Sequence, residues 1–459
     1  MSEAEQEIAA HEPGRAPTAE LVRAVSDALE QDDKAKVRAL VADVEGPDLA
    51  DLIELLSAED RVALIEELGT DFDFEVLTEV DEKVRDQISE ALPNDVLARA
   101  VSELDSDDAA YLLGGLEESD QKEILEQLPQ GERAALERNL LYPEETAGRL
   151  MQADFVAVPP FWTVGQVIDF ARETEDLPDT FSEIFVVDPG FHLLGSVDIS
   201  RLLRSKRDVP VDSIMEEDRH QVLATADQEE VARQFERYGL MVAPVVDKND
   251  RLVGVVTVDD VVEVIEQEAD EDAKLLAGVG DERLSDSVRQ ITPPRFAWLF
   301  VNLGTAIVAS SVIKLFDATI EHMVALAVLM PIVASMGGNA GTQTMTVTVR
   351  ALATRELTPA NVVRVVLRET AVGLINGFAF AALLALLAFI WFGTDALAAI
   401  IAIAMVVNLL AAALAGIYIP LFLERMGFDP AVASTVFVTT VTDVVGFFSF
   451  LGLATLWLM

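Results

Sequence analysis

Asp443 is the residue in this sequence whose position most clearly indicates a chemical role, because it is an acidic side chain within a long apolar segment. A carboxylate at the centre of a membrane costs about 3 kcal/mol on insertion scales and is usually functional. No Lys, Arg or His lies well inside any long apolar segment to neutralise it, so protonation, water or a bound cation must stabilise it. The residues that share its helical face are small or carry hydroxyl groups: Thr435, Thr439, Thr442 and Gly446.

One such carboxylate per chain suggests that two chains share the site. A symmetric dimer would place two copies of Asp443 near its axis, where they would hold one divalent cation between them. Mg²⁺ fits this arrangement because it sheds water reluctantly and is often bound by one or two carboxylates through its hydration shell. Titration of Asp443 by a transported proton is the competing interpretation, and both stay open at this point.

A second polar segment occupies residues 331–343, in the middle of an earlier apolar run. Its small residues, Gly338 among them, permit close approach of helices. Asn339 and Gln343 stand one helical turn apart and belong to a polar stripe. Two interpretations remain open: a hydrogen-bonded seam buried between helices, or a break in the helix that exposes backbone carbonyls. The stripe also includes Ser335, Thr342 and Thr346.

An acidic segment at residues 259–272 precedes the apolar region, and eight of its fourteen residues are Asp or Glu. On one helix, Asp260, Glu263, Glu268 and Glu271 would place many carboxylates along one flank. Like charges at this density repel unless salt or a multivalent cation screens them. A solvated linker helix is the simpler interpretation, but the position just before the first apolar run favours a cation-dependent coupling element.

Five apolar runs in succession must position the polar groups described above. They occupy residues 296–316, 324–349, 371–392, 397–423 and 431–458, and each is long enough to cross about 30 Å of hydrocarbon. Short polar joints separate them, which argues against buried helices of a soluble protein. The sequence therefore predicts an all-α membrane domain of five helices.

Basic residues in the joints predict the orientation, because Lys and Arg near helix ends are retained in the cytoplasm. Arg289 and Arg295 precede the first run, and the joint between the second and third contains four arginines, Arg364 and Arg368 among them. The alternate joints are acidic. We therefore expect a multi-pass protein of the plasma membrane with the N-terminus in the cytoplasm and the C-terminus outside. The N-terminal residues contain no apolar segment, so we expect no cleaved signal peptide.

The charge and cysteine content restrict the remaining functions. The net charge is −46, and nearly all of it lies before residue 291, so a nucleic-acid partner is not expected. The acid excess fits either a surface adapted to high salt or carboxylates that bind cations. The chain has no cysteine, which excludes disulfides and thiolate metal sites.

The region before the membrane segments contains two kinds of repeat. Residues 1–20 have the composition of a flexible tail. Within residues 21–141 an apolar residue recurs every twelve positions, from Leu56 to Leu140, which predicts short helices stacked into an all-α superhelix. Residues 142–209 and 210–264 are duplicates, with strands at 184–188 and 194–197 in the first copy and at 243–247 and 253–256 in the second. The first copy has an insertion at residues 175–181.

The duplicated strand–turn–strand–helix pattern resembles the cystathionine-β-synthase-type (CBS) regulatory domain, an α/β domain that works as a tandem pair and often binds adenine nucleotides. In the second copy, Gly254, Thr257 and Asp260 stand where that family holds a ribose. The first copy has Ser200 and Arg201 where the second has acidic residues. The first copy also offers Gly195 and Asp198. The resemblance therefore implies ATP or another adenine nucleotide as a ligand of the pair, with Thr257 and Asp260 of the second copy as contacts.

The order of parts resembles the MgtE family of magnesium transporters and channels, and three motifs support the resemblance: residues 142–151, 337–343 and 442–447. It implies a multidomain homodimer embedded in membrane lipid, with a pore on the two-fold axis. In this pore, Asp443 of both chains is expected to bind hydrated Mg²⁺. It also implies a connecting, plug-like helix at residues 265–294 and a pore domain at 295–459. Thr435 and Gly239 depart from the family pattern.

The resemblance further implies that cytoplasmic Mg²⁺ closes the pore by bridging the regulatory pair and the connecting helix. The expected function is thus magnesium-selective transport and not enzyme catalysis. A proton-coupled divalent cation exporter and a non-conducting ion or nucleotide sensor are the alternatives. The positions that match the sensing sites are Asp227, Glu229, Asp260, Glu263, Glu268, Glu271 and Asp272.

Overall fold

The computed structural model describes residues 17–174, 177–178, 180–217, 220–280, 282 and 288–458, without the side chains of 433 and 434. These residues form two compact units, divided between Glu266 and Gln267. Most of the predicted tail, residues 1–16, lies outside the described residues. So do positions 175, 176 and 179 of the predicted insertion, and positions 281 and 283–287 of the predicted connecting helix.

The N-terminal part is a stack of short helices, as predicted. The apolar residue that recurs every twelve positions ends a helix and turns into the core: Leu92 and Leu104, for example, are each less than a tenth exposed. The helices are α1 (Ala19–Glu30), α2 (Lys34–Val41), α3 (Gly46–Leu55), α4 (Ala58–Leu68), α5 (Val76–Glu79), α6 (Glu82–Ala91), α7 (Asn94–Glu103), α8 (Ser106–Gly114), α9 (Glu118–Gln127) and α10 (Gln130–Asn139).

Two three-stranded sheets follow, and they have the same topology. In each sheet the first strand is parallel to the second, the second is antiparallel to the third, and the second strand carries a bulge at its end. The first copy contains α11 (Ala147–Leu150), β1 (Ala157–Val158), α12 (Val164–Glu173), β2 (Glu183–Val187), β3 (Leu193–Asp198) and α13 (Ile199–Arg204). The second contains β4 (Val222–Leu223), α14 (Gln228–Tyr238), β5 (Val242–Val246) and β6 (Leu252–Thr257).

Backbone hydrogen bonds join the two copies into one body. Gln152, before the first sheet, exchanges both of its backbone bonds with Val255 of β6, at 2.7 and 2.9 Å. Ser196 of β3 makes the equivalent exchange with Glu216, which precedes the second sheet, at 3.1 and 2.8 Å. Each sheet is therefore extended by the chain segment that leads into the other copy.

The acidic segment is a single helix, α15 (Val258–Leu276), that follows β6 directly. It begins seven residues before the expected start of the connecting helix at 265. Val261 and Val264 are buried and tie its first turns to the second sheet, whereas its later turns are largely polar. The start of the helix therefore belongs to the core of the second CBS copy.

The last part of the chain contains five helices that are long and apolar enough to cross a membrane. They are α16 (Val288–Lys314), α18 (Ala325–Ala353), α19 (Val362–Phe392), α20 (Asp395–Met426) and α21 (Ser434–Leu458), with a short α17 (Asp317–His322) in the first joint. α20 packs against α18, α19 and α21 and is half buried within the bundle, whereas only 6% of the most apolar stretch of α16 is buried. The predicted fold class is confirmed.

Candidate ion pathway and acidic cluster

Asp443 lies in α21 as an acidic residue without a partner among the described side chains. It is partly exposed in the protomer, and no hydrogen bond or ion pair joins it to the part of the chain that the structure describes. Thr435 and Thr439 lie on the same partly exposed side, and the Thr439 hydroxyl donates to the backbone oxygen of Thr435 at 2.7 Å. This leaves the other oxygen lone pairs of the threonines open for water or a hydrated ion.

The other two members of the predicted face turn inward. Thr442 is fully buried, and its hydroxyl donates to the backbone oxygen of Thr439 at 2.9 Å. Gly446 is also buried, against α20. The structure therefore divides the face into an open part, with Thr435, Thr439 and Asp443, and a packed part that fixes α21 on the bundle.

The polar stripe of α18 lies on the surface of the protomer. Asn339 and Gln343 are exposed, and α18 continues without a break from Ala325 to Ala353. Neither a seam buried within the protomer nor an opened helix is therefore present here. Gly338 is buried against α21, where an added Cβ would lie 3.2 Å from the Thr439 methyl carbon, so the α18 motif contacts the open part of α21.

Asn408 of α20 is a buried amide that was not among the predicted site residues. It is 0% exposed, and its Nδ2 donates to the backbone oxygen of Val333 at 2.8 Å. A Cβ on Gly337 would lie 2.2 Å from this nitrogen, and one on Gly446 would lie 2.9 Å from it. Asn408 therefore joins α18, α20 and α21 at the point where both glycine-containing motifs meet. A single Asn in an otherwise apolar run was the available signal.

A second set of carboxylates gathers where α8 meets the start of α15. Asp107 and Asp108 of α8 interact electrostatically with Asp260 of α15, and Glu263 acts on Asp108 as well. Asp107 is only 6% exposed, and its Oδ1 has no hydrogen-bond partner among the described residues. Asp260 and Glu263 of α15 were predicted from the sequence, whereas Asp107 and Asp108 of α8 were not. We call these four residues the acidic cluster.

Burial and mutual repulsion make the acidic cluster hold protons more tightly than free carboxyls do. Burial, followed by the charge of Asp260, raises the pKa of Asp107 well above its usual range and that of Asp108 to about 7. Burial also raises the pKa of Asp260 to about 6, while partial burial with Glu79 and Asp260 raises the pKa of Glu263 to about 7. A cation between these groups would replace the protons as the neutralising charge.

The remaining predicted sensing residues lie in two places. Asp227 caps α14 by accepting from the backbone nitrogen of Glu229 at 3.0 Å, and the Glu229 side chain pairs with Arg233 at 3.0 Å. Glu268, Glu271 and Asp272 lie on later turns of α15; Glu271 is exposed and the other two are partly buried. Within the described residues, no three His, Asp or Glu side chains are arranged to hold one metal ion. Neither the acidic cluster nor these other predicted sensing residues therefore form a complete metal site among the described residues of one protomer.

The predicted ribose site also has internal bonds. The Thr257 hydroxyl donates to Asp260 Oδ2 at 2.5 Å, and its backbone nitrogen lies 3.4 Å from the same oxygen. Asp260 therefore fixes the junction between β6 and α15 while it belongs to the acidic cluster. Nucleotide contact and cluster formation would involve the same carboxylate.

Fold and site together define a multi-pass membrane protein with a helical domain, a CBS pair and a carboxylate in its last span. Family models match the same regions: the divalent cation transporter model MgtE at residues 330–453, the MgtE intracellular N domain at 45–145, and the CBS domain at 147–208 and 211–267.

The chain belongs to the MgtE family. It is 34% identical to the magnesium transporter MgtE of Thermus thermophilus over 95% of this chain and 98% of that protein. It is 28% identical to the magnesium transporter MgtE of Bacillus subtilis over 91% and 93% of the two chains. Among solved structures, the cytosolic domain of the Mg²⁺ channel MgtE in complex with ATP has a TM-score of 0.49 and 32% identity, over 53% of this chain and 99% of that one. The resemblance found in the sequence is confirmed.

Proposed function

We propose that this protein is a homodimeric Mg²⁺ channel whose ion pathway lies between α18 and α21 of two copies. The observation that carries the proposal is Asp443, an unpartnered carboxylate among the described residues, on the open side of α21 with Thr435 and Thr439. The names of the relatives, magnesium transporters in both cases, support the choice of ion.

The dimer follows from the chemistry of the ion. One carboxylate and two threonines are too few ligands to replace the water around Mg²⁺, which keeps several water molecules and accepts one or two carboxylates. A second copy across a two-fold axis supplies the second Asp443 and doubles the number of threonine hydroxyl groups. Asn339 and Gln343, exposed on α18, then line the same pathway from the neighbouring helix.

Selectivity in this pathway arises from hydrated-ion recognition. Carboxylate and hydroxyl oxygens accept hydrogen bonds from the water molecules around Mg²⁺, which holds its hydration shell more tightly than Ca²⁺ does. The ion therefore passes with most of its water, and binding stays weak enough for release.

Closure by cytoplasmic Mg²⁺ is assigned to the carboxylates of α8, α14 and α15. In the acidic cluster, repulsion between Asp108, Asp260 and Glu263 opposes the approach of α8 to α15, and a divalent cation removes that repulsion. Mg²⁺ binds the arrangement with apposed carboxylates better, so it shifts the population toward the closed state. Asp227, Glu229, Glu268, Glu271 and Asp272 are assigned to the same sensing surface.

An adenine nucleotide is assigned to the second CBS copy, with Thr257 and Asp260 as contacts. Asp260 Oδ2 is occupied by the bonds from Thr257, and Oδ1 remains to accept a ribose hydroxyl. Because Asp260 also belongs to the acidic cluster, ATP and Mg²⁺ should influence each other's affinity. Titration calorimetry of the full chain with ATP, at two Mg²⁺ concentrations, tests this assignment.

The orientation assigned to the chain places the acidic domains in the cytoplasm and the C-terminus outside, on the basis of the arginines in alternate joints. Purified protein in liposomes that contain a Mg²⁺ indicator dye tests the function. A Mg²⁺ gradient alone should produce uptake, and high Mg²⁺ on the side of the acidic domains should suppress it. Flux that follows a pH gradient and ignores a Mg²⁺ gradient would instead identify a proton-coupled exporter, and no flux in either case a sensor.

A further inference from the structure

An apolar groove lies on the membrane surface of the bundle, between α19, α20 and α21. Its volume is about 1000 Å³, and its lining includes Val363, Leu367, Phe422, Phe437 and Val441. This volume is at the upper end of the roughly 300–1,000 Å³ of small-molecule sites. The groove is therefore large enough for an extended apolar ligand, and not only for a single side chain.

One end of the groove carries a positive charge. Arg425, near the end of α20, is the one ionised side chain in its lining among the described residues, and it is exposed. No acidic side chain of the described residues lines the groove or pairs with Arg425. The site thus combines a long apolar surface with one unneutralised guanidinium, which suits an amphipathic anion.

The groove lies at the end of the bundle where the basic joints are found. Its lining comes from the first turns of α19 and α21 and from the last turns of α20. Exposed Arg364 and Arg368 belong to the same turns of α19. These positions match the level of lipid headgroups, and basic pockets between spans on the cytoplasmic side are known to bind anionic headgroups.

We propose that this groove binds an anionic phospholipid, with its acyl chains along α19–α21 and its phosphate on Arg425. A second copy of the chain is a poorer occupant. α16 is the span left most exposed, yet residues 288–314 contain no Asp or Glu to neutralise Arg425. A lipid phosphate supplies that charge, and its chains cover the exposed apolar lining without the cost of a buried unpaired cation. This inference does not depend on which ion the protein carries.

Native mass spectrometry of the full-length protein in detergent tests the proposal, with phosphatidylglycerol and phosphatidylcholine of identical oleoyl chains as probes. The wild type should retain phosphatidylglycerol more tightly than phosphatidylcholine. Arg425→Gln should weaken phosphatidylglycerol about fivefold, the factor that corresponds to about 1 kcal/mol for one basic residue near a lipid surface, and should leave phosphatidylcholine unchanged.

Two further variants separate the groove from the general lipid surface. Val363→Trp, at a position 67% exposed, places a large ring in the groove and should reduce retention of both lipids. Arg368→Gln is the control, because its guanidinium lies outside the lining of the groove and already pairs with Glu369 at 3.1 Å, so it should weaken phosphatidylglycerol less than Arg425→Gln does.

Three results would overturn the proposal. One is equal retention of the two lipids by the wild type, and another is unchanged phosphatidylglycerol affinity in Arg425→Gln. The third is a photo-crosslinker at position 363 that attaches to a second copy of the protein and not to lipid, which would make the groove an interface between subunits.

Discussion

At the scale of single residues, Asp443 and Asn408 show what a membrane sequence reveals and what it hides. Asp443 was predictable because a carboxylate in an apolar run is expensive and no cation lies in the same run. Asn408 carries no charge, and its partner is a backbone carbonyl 75 positions away. Its role in packing can be recognised only in the structure, where Gly337 and Gly446 lie against its side chain.

Gly337→Ala should destabilise the membrane bundle. The added Cβ would lie 2.2 Å from Asn408 Nδ2, and Asn408 is fully buried and held by Val333, so it has no free space. Overpacking of this kind typically costs about 1–3 kcal/mol. A lower unfolding temperature of the detergent-purified protein should report the loss.

Gly304→Ala is the matched control, since nothing lies within 4 Å of a Cβ at that glycine of α16. The double variant Gly337→Ala with Asn408→Ala removes the clashing amide and should recover part of the loss. A Gly337→Ala protein as stable as the wild type would contradict the packing described for Asn408.

At the scale of elements, helix ends were more predictable than the contacts between distant helices. The residue repeated every twelve positions lies at or just after the end of each helix from α3 to α10, because an apolar side chain there closes the core of one unit. The helix through the acidic segment was predicted, but the burial of Val261 and Val264 against the second sheet was not, since they look like one more apolar turn in the sequence. The acidic cluster was only half predicted, because Asp107 lies more than 150 positions before Asp260.

The carboxylates of α15 give the first prediction at this scale. Replacing Glu263, Glu268 and Glu271 together by Gln removes three negative charges that Mg²⁺ would neutralise, so higher Mg²⁺ should be needed to close the pore. We expect the half-inhibiting Mg²⁺ concentration in the liposome assay to rise about tenfold, within the usual range of couplings between sites.

The control makes the same change in charge at a distant place. Glu117, Glu118 and Glu126 are exposed near or within α9, and their joint replacement by Gln should leave inhibition as in the wild type. Equal sensitivity of both triple variants to Mg²⁺ would remove α15 from the sensing mechanism.

The raised pKa values in the acidic cluster predict how stability changes with pH when divalent cations are absent. Asp108 and Glu263 have pKa values of about 7 and Asp260 of about 6, all above their values in an unfolded chain. Their protonated forms stabilise the folded state, so this stabilisation is complete below about pH 4 and is lost as the pH rises through 6 to 7.

Thermal unfolding of the full chain in a chelating buffer should therefore begin at a lower temperature at pH 8 than at pH 5.5, by about 2 °C for each 1 kcal/mol of stability that is lost. Added Mg²⁺ should reduce the difference, because the cation replaces the protons. An unfolding temperature that is equal at the two pH values, or higher at pH 8, would argue against burial and repulsion of ionised carboxylates in the acidic cluster.

At the scale of the whole molecule, the protomer has surfaces that its own chain does not cover. α16 is largely exposed, and the polar stripe of α18 is exposed although it lies on a membrane-spanning helix. The number of spans and their order were predictable from hydropathy. The arrangement of the two copies in the proposed dimer was not, because it depends on which exposed face pairs with itself.

Single-cysteine variants can identify that face, since the chain contains no native cysteine. Asn339→Cys should form a crosslinked dimer with a short bifunctional maleimide, because the proposed pathway places this residue near the two-fold axis. Leu386→Cys, at a position 58% exposed on α19, should remain a monomer on a denaturing gel. The reverse pattern would place the axis on another side of the bundle.

The proposed ion pathway depends on the carboxylate of Asp443 in α21, and Asp443→Asn tests it with the smallest change in shape. Mg²⁺ flux into dye-loaded liposomes should fall at least tenfold, with an unchanged unfolding temperature, because the amide keeps the volume and loses the charge that holds the ion. Asp395→Asn, in the first turn of α20, should conduct as the wild type does. Wild-type flux through a folded Asp443→Asn protein would contradict the proposed ion pathway.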